Sequence, residues 1–373
     1  MVLNRQGAKK LPRQKAVAFI GAVGVPNIYG GFEMFLDSTA PLVARHFDQV
    51  LITCDRGRYS DREQMWRGVQ RVFVPLPANG GWSVFHDLIA FFIVFWRVDV
   101  VVVLGVSGGI FFPLFRVLCA IRGVRLIVNV DGLEWRRNKF SCGKRGFLYL
   151  SDRLAQFFAH CVIVDNEALR PYLILAVRKS AVFIPYPGDH ARLHNVPSTD
   201  HENPYCLTIC RIEPENNCHV LLAAFAAAGT GRYIFVGNWD DSEYARQLRF
   251  RFGSHPRIDL RWPTYDQENL ARLRGGCGLY LHGHSVGGTN PSLVEMLFYD
   301  CPILAFDCAF NRATAEDAIE YFANQTQLEV AISSLVKGES GATAWVQKRD
   351  ILRRTKYMRE IICSAYVAVI RQT

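Results

Sequence analysis

The sequence predicts an α/β protein of two doubly wound domains facing a central cleft, and three observations carry this expectation. Short strands that are apolar throughout alternate with helix-like segments, the pattern of parallel sheets covered on both faces. That rhythm breaks once, at the polar, turn-rich stretch YPGDHARLHNVPSTDHENP after Pro185, and then starts again. With 373 residues, 50% of them hydrophobic, the chain can bury two cores of ordinary domain size.

The elements follow in order. Ala16 to Ile20 reads as a strand, followed by the glycine-rich GAVGVPNIYGGFE and a helix from Glu33 to Ala44. Val50 to Thr53, Val72 to Val74, Val100 to Leu104, Leu126 to Val130 and Cys161 to Val164 read as further strands. After the break come strands at Tyr205 to Ile209, Tyr233 to Val236, Ile258 to Arg261 and Gly278 to Leu281. Helices are expected from about His219 to Ala228, around Glu243 to Phe250 and near Gln267 to Leu273. A helix from about Val346 and another from Lys356 to Ile370 close the chain. The expected division is a first domain over 1–187, a linker over 188–204 and a second domain over 205–355, with the closing helix of about 356–373 returning to the first domain. Open α/β sheets bind ligands beyond the carboxyl ends of their strands, so the cleft is the expected site.

Composition narrows the function. The 11 cysteines have no regular spacing and several lie in apolar runs, which reads as reduced core thiols and a cytoplasmic compartment. No zinc-ribbon or HExxH spacing occurs, so no metal site is expected. The net charge of +9 is partly gathered in Arg5, Lys9, Lys10, Arg13 and Lys15. That charge could meet nucleic acid, anionic lipid or only water, and without a nucleic-acid-binding signature it points to a membrane surface before nucleic acid. No continuous apolar core precedes Lys15, so export is not expected. The apolar region from Phe85 to Ile121 is interrupted by Arg97, Asp99, three glycines and Pro113, too often for a membrane span. Its aromatic segment Phe91, Phe92, Phe95 and Trp96 suits partial insertion at a bilayer interface.

The segment HSVGGTNPSLVEM, from His284 to Met296, has the composition of a ligand site. Gly287 and Gly288 permit close backbone approach, Thr289 and Ser292 bring hydroxyls, Asn290 can cap a helix and Pro291 fits its first position. Open amides at a helix start favour an anion, and Glu295, one turn inside, suits hydroxyls near that anion. The equally simple alternative is an ordinary loop and capped helix. The first glycine loop, Gly21 to Gly31, is not a dinucleotide fingerprint, because its spacing is wrong and no acidic residue closes a nearby second strand.

Four motifs in order, GVPNIYGGFEMF, NVDGLEWRRNKF, RIEPENN and HSVGGTNPSLVEM, resemble the family-4 retaining glycosyltransferases, in the bacterial branch labelled rhamnosyltransferase. The resemblance runs from about Ala16 to Phe322 and implies a GT-B fold of two Rossmann-like domains, with acceptor on the first, sugar nucleotide on the second and no metal. It implies that Arg211 stabilises the leaving diphosphate and that Glu295 binds ribose hydroxyls. Gly30 and Gly31 become a backbone platform near the donor, with Tyr29, Phe32, Glu33 and Glu134 on the acceptor side. Tyr29 and Phe32 are equally readable as core aromatics, and Glu134 as a solvated helix start. His284, ahead of the loop, is preferred to His282 for the donor, and Asp131, after its strand, is expected to orient a hydroxyl or accept a proton. Asp131 has the alternative of a turn residue, and Arg211 that of a surface partner for Glu213 or Glu215. Three positions depart from the pattern the resemblance implies: Gly287 replaces a carboxylate, Asn217 replaces a lysine, and Asp131 stands where the family often has a histidine.

The resulting expectation is a cytoplasmic glycosyltransferase, peripheral on the membrane, that moves a sugar, rhamnose foremost, from a nucleoside diphosphate to a glycan or lipid-linked saccharide. A sugar-nucleotide epimerase of the same architecture and a non-catalytic nucleotide-sugar-binding subunit stay open beside it.

Overall fold

The computed structural model describes residues 15–130, 132–137, 140–193, 204–228, 231–336 and 342–372. Asp131 and the basic residues before Lys15 lie outside the described residues.

The first sheet contains β1 (Ala16–Ile20), β2 (Gln49–Asp55), β3 (Met65–Trp66), β4 (Val69–Val74), β5 (Val100–Leu104), β6 (Arg125–Val130), β7 (Cys161–Val164) and β8 (Val182–Phe183). Their order is β3-β4-β2-β1-β5-β6-β7-β8, and only the β3 to β4 pairing is antiparallel. The second sheet contains β9 (Tyr205–Ile209), β10 (Tyr233–Val236), β11 (Ile258–Arg261), β12 (Cys277–His282), β13 (Ile303–Phe306) and β14 (Glu320–Phe322). It runs β11-β10-β9-β12-β13-β14 and is parallel throughout. Both domains are therefore Rossmann-like.

Strand alternation explains the layers. Val17 and Phe19 of β1 face one layer with α1 (Gly31–Val43), while Ala18 and Ile20 face the layer built by α2 (Ser83–Phe95), α3 (Phe112–Arg122) and α4 (Cys142–Phe158). Because both faces are covered, β5 is buried at every residue. The strands β3, β8, β13 and β14 were not expected from the sequence. β3, β8 and β14 span two or three residues each, too few for a periodic signal, whereas β13 is as long as β10 and this reason does not cover it.

The chain passes between domains twice. After β8 it enters the second domain, and after the helix Ala342–Lys356 it returns as the closing helix Arg359–Arg371. Ile362, Tyr366 and Ile370, one turn apart, pack into the core beside α1, with the Tyr366 ring 4.8 Å from that of Phe35. The two passages are tied together. The Gly188 amide donates to the Tyr357 carbonyl (2.9 Å), and Asp189 accepts from the Arg359 amide (2.9 Å) and Nε (2.8 Å). Among the described residues, no helix is long and apolar enough to cross a membrane.

Candidate functional site

The carboxyl edges of the two sheets meet at a point formed by backbone. A Cβ on Gly132, just after β6, would lie 2.8 Å from both the Gly287 Cα and the Gly288 nitrogen. A Cβ on Gly288 would lie 2.2 Å from Oδ1 of Asp165, which follows β7. A Cβ on Gly31, at the start of α1, would lie 3.2 Å from Pro291. Three glycines thus let the loops of one domain touch those of the other. Thr289 secures the contact: its hydroxyl donates to the Asp165 carbonyl, and the buried Asn166 Nδ2 donates to Thr289 Oγ1 (3.1 Å), the Phe310 carbonyl (3.1 Å) and Thr314 Oγ1 (3.1 Å).

Asn290 caps the helix Pro291–Met296, accepting through Oδ1 from the Ser292 amide (3.0 Å) and hydroxyl (2.7 Å). This changes the expected anion site. Pro291 has no amide hydrogen, the Ser292 amide is capped, and the Leu293 and Val294 amides donate to the Asn290 carbonyl (3.1 and 3.3 Å). The helix start is closed by its own cap, so amides for an anion must come from the glycine loop before it. Gly287 holds a φ of +138°, a conformation side chains rarely adopt.

Arg211 follows β9 with its side chain 59% exposed, and its Nη1 lies 3.8 Å from Glu213 Oε1. Glu213 also faces Arg137 of the first domain (3.7 Å), which pairs with Glu134 (2.8 Å). A chain of alternating charge, Glu134, Arg137, Glu213, Arg211, therefore crosses the cleft. Glu134 reaches the site through this chain, as a partner of Arg137.

His284 lies beside these cations. Burial, then His282, Arg137 and Arg211, push its imidazole well below the usual range, so the ring is neutral at pH 7. Asn216 fixes its tautomer. The Asn216 amide donates to the Arg211 carbonyl (2.7 Å), so its Oδ1 faces His284 Nδ1 (2.9 Å), and Nδ1 carries the proton. Nε2 is left as an acceptor toward the glycine loop, where a Gly287 Cβ would be 3.1 Å away. An acceptor there suits a hydroxyl rather than a phosphate. His282, fully buried and stacked near Tyr280, is held neutral by burial, its pKa lowered to about 3.

Asn217 has a φ of +47°, in the left-handed region that Asn tolerates better than Lys, and its Nδ2 donates to the Gly283 carbonyl (2.9 Å). It shapes the turn before the helix Cys218–Ala228. Glu295 is buried, with one carboxylate oxygen on Arg274 and the other 3.0 Å from His190 Nε2. Burial alone would raise this carboxyl, but Arg274 and His190 overcome it and hold it below its ordinary range. Any ribose hydroxyl must share these oxygens.

In the first glycine loop, Gly30 precedes α1, and buried Glu33 accepts from the Val23 amide (2.6 Å), bracing the loop from inside. Tyr29 is 43% exposed, and its carbonyl accepts from Tyr265 of the second domain (3.2 Å). Burial raises the Tyr265 hydroxyl, with Tyr29 and Glu33 adding to it and Arg211 opposing, which places Arg211 on this side of the cleft. Phe32 packs half-buried near Tyr186, 6.1 Å between rings. Asp131 lies outside the described residues.

Sequence reading missed Asp165, Asn166, Asn216, Arg274 and His190, whereas Glu213 was expected as a partner of Arg211 and Arg137 as part of the acceptor path. Asp165-Asn166 directly follows an apolar strand, the same signal that singled out Asp131. Arg274 and His190 carried no signal, since one ends a helix and the other lies in the linker. Among the described residues, no group of three or more His, Cys, Asp or Glu is placed to hold a metal ion.

A family model described as a domain of unknown function, DUF1972, matches residues 14–189. A search of curated protein sequences gave no match. Among solved structures, the chain is similar to sucrose-phosphate synthase from Thermosynechococcus elongatus, with a TM-score of 0.77 and 16% identity over 96% of this chain and 99% of that one. It is similar to HepE of Anabaena in complex with UDP-glucose, with a TM-score of 0.71 and 15% identity over 95% and 98% of the two chains. It is also similar to the catalytic domain of starch synthase IV from Arabidopsis thaliana bound to ADP and acarbose, with a TM-score of 0.72 and 12% identity over 96% and 98%. The fold is GT-B.

Proposed function

We propose that this chain is a retaining glycosyltransferase that moves a sugar, rhamnose foremost, from a nucleoside diphosphate to a glycan or lipid-linked saccharide in cell-surface polysaccharide synthesis. It works without a metal, in the cytoplasm and at the inner face of the membrane. The observation that carries the reading is the meeting of the Gly287-Gly288 loop with a cleft whose cations, Arg137 and Arg211, come from opposite domains. The complexes of HepE with UDP-glucose and of starch synthase IV with ADP support a nucleoside diphosphate donor.

In this reading, negative charge builds on the leaving diphosphate as the sugar bond breaks, and a fixed guanidinium stabilises it without forming a covalent intermediate. Arg211 has the exposure to reach a ligand and the Glu213 contact to limit its wandering. Gly30, Gly31, Gly287 and Gly288 bring backbone close to the diphosphate, His284 Nε2 accepts a sugar hydroxyl, and Glu295 shares its carboxylate with the ribose. Asp131, from the first domain, orients the acceptor hydroxyl or takes its proton.

The test has two stages. A thermal-shift panel of nucleotide sugars identifies the donor, since a ligand at a hundred times its Kd stabilises by about 2.7 kcal/mol. Release of nucleoside diphosphate is then followed with and without a lipid-linked saccharide acceptor. Acceptor-dependent release is expected; rearrangement of the sugar nucleotide without acceptor assigns an epimerase, and binding without either reaction assigns a non-catalytic subunit.

A further inference from the structure

The sequence treats Phe91, Phe92, Phe95 and Trp96 as one aromatic segment, but the fold divides it. Phe91 and Phe95 are buried, with Phe91 stacked 3.9 Å from Phe115, while Phe92 and Trp96 point outward. Along α2 and its flanks, the exposed large apolar side chains are Trp82, Phe85, Phe92 and Trp96. Together with half-buried Ile89, their spacing of three and four residues makes one helical stripe.

A second stripe lies beside it. Ile110, Leu114, Val117 and Ile121 are exposed at the same three- and four-residue spacing along α3 and its flank. The two helices run side by side in the same direction. Phe85 meets Phe111 near their starts (6.3 Å between rings), Phe91 meets Phe115 in the middle, and Arg122 Nη2 donates to the Trp96 carbonyl at their ends (2.6 Å). The outer face of this layer, where polar residues belong in a water-facing helix, is thus apolar across two helices.

Within the two helices themselves, the exposed charge is of one sign, with the carboxylate of Asp99 just beyond α2. The acid within α2 and α3 is Asp87, which is buried and accepts from the Gly108 amide (2.9 Å). Arg97 and Arg122 are exposed at the edge, and Arg122 lies against the Phe95 and Trp96 rings (5.4 and 5.8 Å). Lys15 and Ala16, at the start of β1, stand at the same end, where the Ala16 amide donates to Asp99 (2.9 Å), three residues beyond Trp96. At the opposite end, Trp82, Phe85 and Ile110 lie where both helices begin, at the sheet edge that carries the cleft.

We propose that this two-helix face is a docking surface for an anionic lipid bilayer, with the aromatic and aliphatic stripes entering the interfacial layer and the arginines meeting lipid phosphates. Aromatic rings with a polar rim suit that interface, and cations at its margin suit anionic headgroups. The orientation sets the cleft beside the membrane surface. The proposal deepens the membrane-peripheral part of the proposed function, but does not depend on sugar transfer.

The test is co-sedimentation of the full chain with vesicles of phosphatidylcholine alone or mixed with phosphatidylglycerol, without nucleotide sugar. Wild type is expected to bind the anionic vesicles preferentially. The variant Phe92→Ser/Trp96→Ser/Val117→Ser/Ile121→Ser is expected to lose at least about tenfold in partitioning while keeping its thermal melt, since all four side chains are exposed. Arg97→Gln is expected to reduce binding to anionic vesicles alone. Undiminished binding of a folded quadruple variant overturns the proposal. So does a wild type that ignores vesicles and forms dimers in sedimentation velocity, which the quadruple variant abolishes, because the face then belongs to a second copy. Transfer to a short soluble acceptor, measured in parallel, separates failure of docking from failure of the glycosyltransferase reading.

Discussion

Replacing Arg274 with methionine tests whether the Glu295 carboxylate is held by its partners or merely sits near them. Arg274 and Glu295 side chains are 3% and 9% exposed, so the pair is a buried one. Removing one partner of a buried pair typically costs about 3–5 kcal/mol, because the other charge stays behind uncompensated. His190 still donates to Oε1 at 3.0 Å, which favours the lower part of that range. At roughly 2–4 °C per kcal/mol for a domain of this size, the melting point should fall on the order of 10 °C near neutral pH.

The sign of the pH dependence makes the prediction specific. In the native chain the Glu295 carboxyl is depressed, so its contribution is present above the unfolded value of about 4.3 and is lost as pH falls through the lower folded value. Without Arg274, burial dominates and the folded value rises above the unfolded one. The carboxylate then destabilises, and the loss grows as pH rises past about 4.3. Thermal melts of Arg274→Met against wild type should therefore differ little near about pH 4 and widely near about pH 7.5. Adding Glu295→Gln should recover most of the loss at the higher pH. A deficit of equal size at both pH values, or a double variant no better than the single one, would refute the reasoning.

Other outcomes follow from the same geometry. Arg211→Ala should lower kcat by roughly a hundredfold, the equivalent of about 3 kcal/mol for one donor to developing charge, with the melting point unchanged because the side chain is largely exposed; unchanged turnover in a steady-state assay removes Arg211 from the chemistry. Gly288→Ala should cost more than about 1 kcal/mol in a denaturant titration, since its Cβ would meet Asp165 Oδ1 at 2.2 Å, and Asp165→Ala in the same chain should return part of it. Transfer should proceed unchanged in excess chelator, and activity lost there and restored by magnesium or manganese would count against a metal-free reaction.

The fold was legible because its strands are buried on both faces. Five uninterrupted apolar, β-branched-rich residues, Val100 to Leu104, read as a strand between two helical layers. The same was true of β1, β9 and β10, whose bounds match the sequence reading residue for residue. Short edge strands such as β8 lack the length to show a period, and the antiparallel β3 has only two residues. In the site, the local features were legible and the long-range ones were not. The Asn290 cap and Pro291 at the helix start follow from neighbours in sequence. The ties of Glu295 to His190 and Arg274 span 105 and 21 residues, and the contact of Arg137 with Glu213 depends on how two domains close. The exposure of Trp96 but not Phe95 likewise requires the position of α3.

Two of the positions where the resemblance implies a different residue lie against the same stretch of backbone. Gly287 stands at a φ of +138° with its Cα pressed toward Gly132, a place where a glutamate would be strained and its Cβ directed at His284. Asn217 stands at +47° with its amide on Gly283, one residue before His284. Both substitutions therefore shape the same stretch of backbone around His284, and the resemblance implies that they remove one negative and one positive charge together. On the proposed reading, positive charge toward the donor falls to Arg211 and Arg137, which Glu213 links across the cleft. On that account, the cation on the donor side depends on closure of the two domains in a way that a lysine at position 217 would not. Glu213→Gln should accordingly raise KM for the donor more than it lowers kcat, and high salt should reproduce the effect in the native chain. Equal losses in kcat and kcat/KM would instead mean that the network acts in the transition state.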